Sequence, residues 1–143
     1  MSEMMTLGEK QELFARLFIK LIQKVYDLGM TCRIGEVFRS DEQAEINSLG
    51  VGGRKNLCRV LEANGFKPLA DAIANNTGSG VRPSVHELKI AVDLLLFKNG
   101  IYLTDSEAYR ILGEYWESLH PLCRNGRSWN DGNHFSLEHQ GKK

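Results

Sequence analysis

No stretch of this 143-residue chain holds the run of about 20 apolar residues that crossing a bilayer requires. The opening Met1-Ser2-Glu3-Met4-Met5 carries no basic residue and so lacks the charged start of a secretory signal. Together these absences predict a chain made in the cytoplasm, neither exported by a standard signal nor stably anchored in a membrane. Net charge is missing too, since 18 acidic residues balance 18 basic ones. With no global field and no clustered basic and aromatic residues, nucleic acid is not expected as a partner. Cysteine is scarce: Cys32, Cys58 and Cys123 are odd in number and lack the paired short spacings of a zinc ribbon. They read as reduced thiols buried for packing. Gly50 to Lys55 is glycine-rich, but it has neither the spacing of a phosphate-binding loop nor a strong strand before it. It reads as a flexible break, and the segment after it as a lid or wall.

What is present suits one domain over residues 1–143, because a chain of about this size buries ~68% of its unfolded surface. Thr6-Leu7-Gly8-Glu9 has the form of a capping box, and Leu13, Phe14, Leu17, Phe18, Leu21, Val25 and Leu28 follow at helical spacing until Gly29. The stripe is expected in the core, with Lys10, Arg16, Lys20 and Lys24 on a moderately basic opposite face. Thr31 to Phe38 reads as a strand that delivers Arg39, and Ser40-Asp41-Glu42-Gln43 starts a second helix. Asn56 to Ala63 and Pro68 to Ala74 read as short helices, and Thr77 to Pro83 as a loop. Ile90 to Phe97 reads as a strand buried on both faces. Lys98-Asn99-Gly100 suits a type I′ hairpin turn, with Ile101 to Leu103 returning. Thr104-Asp105-Ser106-Glu107 caps a third helix with Ala108, Leu112, Tyr115 and Leu119 on one face, ended by Pro121. His120 at its C-terminus reads as structural, Asn125 to Ser128 as a polar loop, and His139 as part of a solvated tail.

One stretch carries chemistry. In Ser84-Val85-His86-Glu87-Leu88-Lys89-Ile90-Ala91-Val92-Asp93, an imidazole and a carboxylate stand seven positions apart. A straight strand would separate them by ~23 Å, whereas ligands of one zinc lie within ~2.3 Å of it. The chain must therefore double back near Glu87 to Lys89 if both hold one metal. A carboxylate within an apolar strand is costly unless paired, hydrogen-bonded or on a metal. Small Ala91, next along the Asp93 face, would leave room for an ion and a substrate. His134 offers a third ligand, and two histidines with one carboxylate leave the fourth position of zinc for water. Asp131, three residues earlier across an Asp-Gly-Asn turn, could face the same ion without binding it, where a general base would stand. Arg39 at a strand-to-helix junction could present its fork to a carboxylate or oxyanion. Trp129 reads as a core or groove-wall aromatic or a substrate contact.

The ordered motifs Ser84-x-His86 to Asp93 and Asp131-x-x-His134-Phe135 resemble the VanY-like zinc peptidases. That family includes D-alanyl-D-alanine carboxypeptidases and dipeptidases, and the L-alanyl-D-glutamate endopeptidases of bacteriophages. Phe38-Arg39-Ser40 with Gln43 matches its aromatic-Arg-Ser element. Leu94 to Leu103 and Leu112 to Trp116 are similar to small phage members, so the resemblance spans Phe38 to Glu138. The chain departs from the pattern at three places. Lys89 replaces a turn glycine, Gly50 to Asn76 replaces a short connection, and Asn125 and Arg127 replace a tryptophan and a glycine.

The resemblance implies an α+β fold, a small mainly antiparallel sheet with helices packed on it, of the Hedgehog/DD-peptidase-like kind. It implies zinc on His86, Asp93 and His134, with Asp131 and Arg39 catalytic and Arg39, Ser84 and Trp129 as candidate substrate contacts. The implied partner is the peptidoglycan stem peptide, met by a monomeric phage endolysin after its release from the host cytoplasm. The alternatives are a D-alanyl-D-alanine carboxypeptidase or dipeptidase, and a zinc-stabilised peptidoglycan-binding module without activity.

Overall fold

The computed structural model describes residues 5–75 and 84–143, which form two compact units. One comprises Met1–Phe38 with Val85–Lys143, the other Arg39–Ser84. The loop expected over Thr77 to Pro83 lies outside the described residues. Among those described, no helix is long and apolar enough to cross a membrane.

In the first unit, α1 (Leu7–Asp27) starts on both halves of the expected capping box. The Glu9 N–H donates to Thr6 Oγ1 at 3.1 Å and the Thr6 N–H to Glu9 Oε2 at 2.8 Å, which satisfies two donors the helix leaves unpaired. Leu13, Phe14, Leu17, Leu21 and Val25 are buried, so the apolar stripe is core. Lys10 departs from its expected place on the solvated face and is buried at 4% exposure. It lies three and four residues before Leu13 and Phe14, which puts it on the same stripe.

The sheet contains β1 (Thr31–Ile34), β2 (Ala91–Lys98), β3 (Ile101–Tyr102), β4 (Cys123–Gly126) and β5 (Asp131–Leu137). Its order is β1-β2-β5-β4, with β3 on β2, and every pair is antiparallel. Val92, Leu94 and Leu96 point with Phe135 and Leu137 into the core that α1 and α5 (Arg110–Leu119) cover. Trp116 meets Phe14 and Phe135 edge-to-face at centroid distances of 5.9 and 6.3 Å, and its Nε1–H donates to the Ser136 carbonyl at 3.0 Å. Each fully buried large apolar side chain here contributes about 1.5–3 kcal/mol. The opposite face of β2 was expected to be equally buried, but Asp93, Leu95 and Phe97 are only partly covered.

Strand β1 stops at Ile34 rather than Phe38. The Gly35 N–H donates to the Asp93 carbonyl at 2.8 Å while the Asp93 N–H donates to the Glu36 carbonyl at 2.9 Å. Two residues thus oppose one, as in a bulge, and the ladder ends there. A Cβ on Gly35 would sit 3.1 Å from the Asp93 carbonyl oxygen, so glycine suits the approach.

Asn99 and Gly100, at φ 52 and 78, form the expected two-residue hairpin turn. The third helix starts differently. Asp105 caps a 3₁₀ turn over Ser106–Tyr109 before α5 begins. The tighter turn shifts the phase of the stripe, so Leu112 is joined inside by Tyr109 and Trp116 while Ala108 is exposed and Tyr115 and Leu119 are half-buried. His120 Nδ1 accepts the Leu122 N–H at 3.1 Å, so its role is structural as expected, but through a hydrogen bond and not through charge at the helix end. Asn125 and its neighbours form the end of β4 and a 3₁₀ turn, Arg127–Trp129, rather than a loop. His139 is not free in solvent: its Nδ1 lies 3.0 Å from Lys10 Nζ.

The second unit contains α2 (Asp41–Ser48), α3 (Val51–Ala63) and α4 (Lys67–Ala74). Ser40 Oγ caps α2 by accepting the Gln43 N–H at 3.1 Å. Helix α3 starts at Val51, five residues before the expected Asn56, so Gly52 and Gly53 lie in its first turn and not in a flexible break. Extended Gly50 serves as N-cap, and its carbonyl accepts the Arg54 N–H at 3.0 Å. Pro68 falls in the first turn of α4, where its missing N–H costs nothing, and Cys58 Sγ donates to the Ala70 carbonyl at 3.2 Å. All three cysteines are free, but only Cys123 is fully buried. Burial, partly countered by a backbone hydrogen bond from His120, pushes its thiol up to about 12, so it is inert.

Candidate metal centre

The chain doubles back at Val85 to Lys89, as a shared metal requires. The Lys89 N–H donates to the His86 carbonyl and the Ile90 N–H to the Val85 carbonyl, both at 3.2 Å. Lys89 takes φ 61, the left-handed region that glycine enters freely and other residues enter at about 1–2 kcal/mol. From α1, Gln11 Nε2 donates to the Leu88 carbonyl at 2.9 Å, and the Lys89 ammonium lies 5.2 Å from the Phe38 ring centre. This turn lays the His86 ring, 4% exposed, against Asp93.

Asp93 is held from both sides. Its backbone pairs with Gly35 and Glu36 on one edge and stands opposite His134 of β5 on the other. Alternation puts Ala91 and Asp93 on one face with His134 and Ser136. Asp93 Oδ1 lies 3.4 Å from His86 Nε2 and 3.6 Å from His134 Nδ1. The two imidazole centroids are 5.2 Å apart, with the ring planes crossing at 71°.

These separations are long for hydrogen bonds but suit a metal. Ligand atoms about 2.0–2.1 Å from a tetrahedral zinc are about 3.3–3.4 Å from each other. Asp93 Oδ1 is buried and accepts no hydrogen bond among the described residues, an orphan that a cation would satisfy. His86, Asp93 and His134 each offer one ligand atom, all within 4.8 Å of one another. The donor set and its spacing therefore fit a metal ion. Burial pushes the Asp93 carboxyl up, but interaction with the His134 and His86 rings outweighs it and holds the pKa at about 2. The group is an anion at any pH near neutral.

The outward nitrogens face polar groups, closely at His134 and at longer range at His86. His134 Nε2 lies 3.0 Å from Ser136 Oγ. His86 Nδ1 lies 3.4 Å from the Val37 carbonyl and 3.6 Å from Glu36 Oε1.

Asp131 is half-buried and opens β5, so Asp131-Gly132-Asn133 is strand rather than turn. The turn is one residue earlier, at Asn130 with φ 58. In a regular strand, residues three apart point to opposite faces. Here the β4–β5 register breaks between Asn125 and Gly126, where Asn125 pairs with Phe135 but Gly126 with Asp131. Buried Asn125 clasps the irregularity: its Nδ2 donates to the Gly132 and His134 carbonyls, each at 2.8 Å. Burial pushes the Asp131 carboxyl up; His134 and His86 pull it down and the Asp93 charge pushes it up, so all three candidate ligands act on it.

Trp129 is 41% exposed and its ring centre lies 5.8 Å from that of His134, so it stands beside the centre rather than in the core. Arg39 and Ser84 belong to the second unit, where an Arg39 guanidinium N–H donates to Ser84 Oγ at 3.3 Å. Glu36, Asn125 and Ser136 were not anticipated as site residues. Only Ser136 left a signal, two places after His134 in an alternating strand.

An α+β fold with a largely buried His-Asp-His centre, two of its residues on the sheet and one from the turn before β2, is the class these features define. No protein-family model matches the chain, and no curated protein matches it. Two solved structures are similar to it. One is a point mutant of the vancomycin-resistance D,D-pentapeptidase VanY from a VanB-type resistance cassette, in complex with Zn(II). It is 19% identical, with a TM-score of 0.47, over 87% of this chain and 70% of that one. The other is VanYB in complex with D-alanine-D-alanine, 20% identical with a TM-score of 0.46, over 87% of this chain and 68% of that one.

Proposed function

We propose that the protein is a zinc-dependent peptidoglycan peptidase that hydrolyses the L-alanyl-D-glutamate bond of the stem peptide, as a phage endolysin acting on the wall after release from the host cytoplasm. In this reading residues 1–143 serve as one monomeric peptidase domain. The observation that carries it is the approach of Asp93 Oδ1 to His86 Nε2 and His134 Nδ1 at 3.4 and 3.6 Å, with that oxygen buried and accepting no hydrogen bond among the described residues. The Ser-x-His, Asp and Asp-x-x-His-Phe motifs of the sequence support the choice of substrate.

His86, Asp93 and His134 would hold the zinc, which when bound would supply a Lewis acid and lower the pKa of a water toward ~7. Asp131 then handles the proton. Its carboxylate accepts one from the attacking water and its carboxyl returns one to the departing amine nitrogen, two transfers by one group. A raised pKa suits this double duty, because the group must be able to hold the proton between the two transfers. Trp129, exposed beside His134, offers an apolar wall for the peptide. Arg39 would offer its fork to a substrate carboxylate or the developing oxyanion, a role that rests on its place in the sequence motif.

Digestion of purified wall by the zinc-loaded protein tests the reading. A new free D-glutamyl amine supports it. Released D-alanine would replace it with a carboxypeptidase or dipeptidase built on the same centre. Muropeptide binding with no new amine would reduce the protein to a zinc-stabilised binding module.

A further inference from the structure

Past β5 the chain reverses once more. His139 and Lys142 exchange two backbone hydrogen bonds, each 2.9 Å, around Gln140 and Gly141 at φ 49 and 79, the form of a two-residue hairpin turn. The turn is tied into its unit, because His139 Nδ1 lies 3.0 Å from the buried Lys10 ammonium and the Glu138 N–H donates to the Leu122 carbonyl at 2.9 Å. The reversal brings Lys143 back to Trp129, with its ammonium 5.7 Å from the centre of the indole. That indole lies 5.8 Å from the His134 ring, so the charge stands one aromatic ring away from a candidate metal ligand. The arginines of β4 and the turn after it are already paired, Arg124 with Glu138 at 3.1 Å and Arg127 with Glu117 at 2.6 Å. Lys143 is exposed and has no ion pair with a carboxylate among the described residues. An ammonium over an exposed ring is held weakly and keeps donors for an anion, while the ring steadies its long stem.

We propose that Lys143 is a specificity-determining residue that binds the free carboxylate of the D-glutamyl unit. The proposal rests on the reading of the centre as an L-alanyl-D-glutamate peptidase and adds what it recognises beside the scissile bond. Glutamate joined to alanine through its amine has two carboxyl groups, and only one continues the peptide. The other is an anion a few bonds from the scissile nitrogen. Asp131 fixes the direction in which that unit lies, because in this reading it returns a proton to the departing amine. The Trp129 side chain is within hydrogen-bonding reach of the Asp131 carboxyl. The leaving D-glutamyl unit therefore extends along the indole, and Lys143 stands over that ring. A carboxamide in place of the carboxylate would offer the ammonium an oxygen without a charge.

The test uses the full zinc-loaded chain and two synthetic stem peptides that differ only at this group, one with the D-glutamyl carboxylate and one with its carboxamide. Release of the new amine gives kcat and KM for each. The parent is expected to prefer the carboxylate by about three- to tenfold in kcat/KM, mainly through KM. Lys143→Met is expected to lose that preference while cutting the carboxamide peptide as the parent does, which also shows that the variant is folded. Lys142→Met removes the same charge one residue away and is expected to keep the preference. A parent without the preference, a Lys143→Met chain that retains it, or a Lys142→Met chain that loses it as fully, overturns the inference and leaves the peptidase reading intact. A parent that frees no D-glutamyl amine from either peptide overturns both.

Discussion

Asp93 on β2 and His134 on β5 are direct partners across an antiparallel pair, with Oδ1 of one 3.6 Å from Nδ1 of the other. That single register position joins strands roughly forty residues apart in sequence, and a slip by one residue would turn both side chains to the opposite face. His86 needs only the short turn before β2 to complete the group.

Removing a ligand and removing the proposed base should have different consequences. His86→Ala and His134→Ala are expected to lose bound zinc and wall hydrolysis together, because ligand loss opens the site. Asp131→Asn is expected to keep zinc and lose turnover by about 10²–10⁴-fold, the usual worth of a positioned acid–base group. Metal analysis beside a wall digest separates the two, and an Asp131→Asn protein lacking zinc would make Asp131 a ligand instead.

The turn before β2 holds a conformational strain that can be relieved. Lys89 stands at φ 61, so Lys89→Gly is expected to raise stability by up to about 1 kcal/mol, offset in part by glycine's greater freedom when unfolded. Chemical denaturation reads this directly. A lower midpoint would mean that the contact of Lys89 with Phe38 outweighs the strain.

Much of this centre was legible in the sequence because its determinants are local. The Thr6 capping box, the Asn99-Gly100 turn, the apolar run from Ile90 and the need for a reversal after His86 each follow from a few adjacent residues. What escaped depends on partners distant in the chain. Nothing near Lys10 or His139 announces that they meet across 129 positions, and nothing near Asn125 shows that its amide holds the strand carrying His134. The 3₁₀ turn at Ser106–Tyr109 shifts a stripe whose spacing reads as continuous α-helix, and the glycines after Gly50 read as a break although they open a helix.

Asn125 gives a stability prediction of its own. Asn125→Ala removes the side-chain donor that reaches the buried Gly132 and His134 carbonyls, at about 1–3 kcal/mol. Gly113→Ala should destabilise the same corner, because a Cβ there would collide with Asn125 Oδ1. Denaturant midpoints below the parent's for both variants are expected. An unchanged midpoint for Asn125→Ala would mean that the irregularity holds without it.

The Lys10–His139 contact predicts a pH dependence. The Lys10 ammonium has no lone pair, so His139 Nδ1 at 3.0 Å must be the acceptor and the ring neutral. Burial and the Lys10 charge both push the His139 pKa down from 6.5. The folded state thus binds fewer protons than the unfolded one. The contribution is complete above the unfolded value and is lost as pH falls below it through the depressed folded value. In metal-free protein, the stability gap between the parent and His139→Gln should be present at pH 7.5 and shrink by pH 5.5. A gap that widens on acidification would reverse the sign.

X-ray absorption at the zinc edge, on the full chain with one equivalent of metal, tests the centre most directly. A shell of nitrogen and oxygen alone at about 2.0–2.1 Å is expected, disappearing in Asp93→Ala. A chain that retains no zinc, or a shell that contains sulfur at about 2.3 Å, would contradict it.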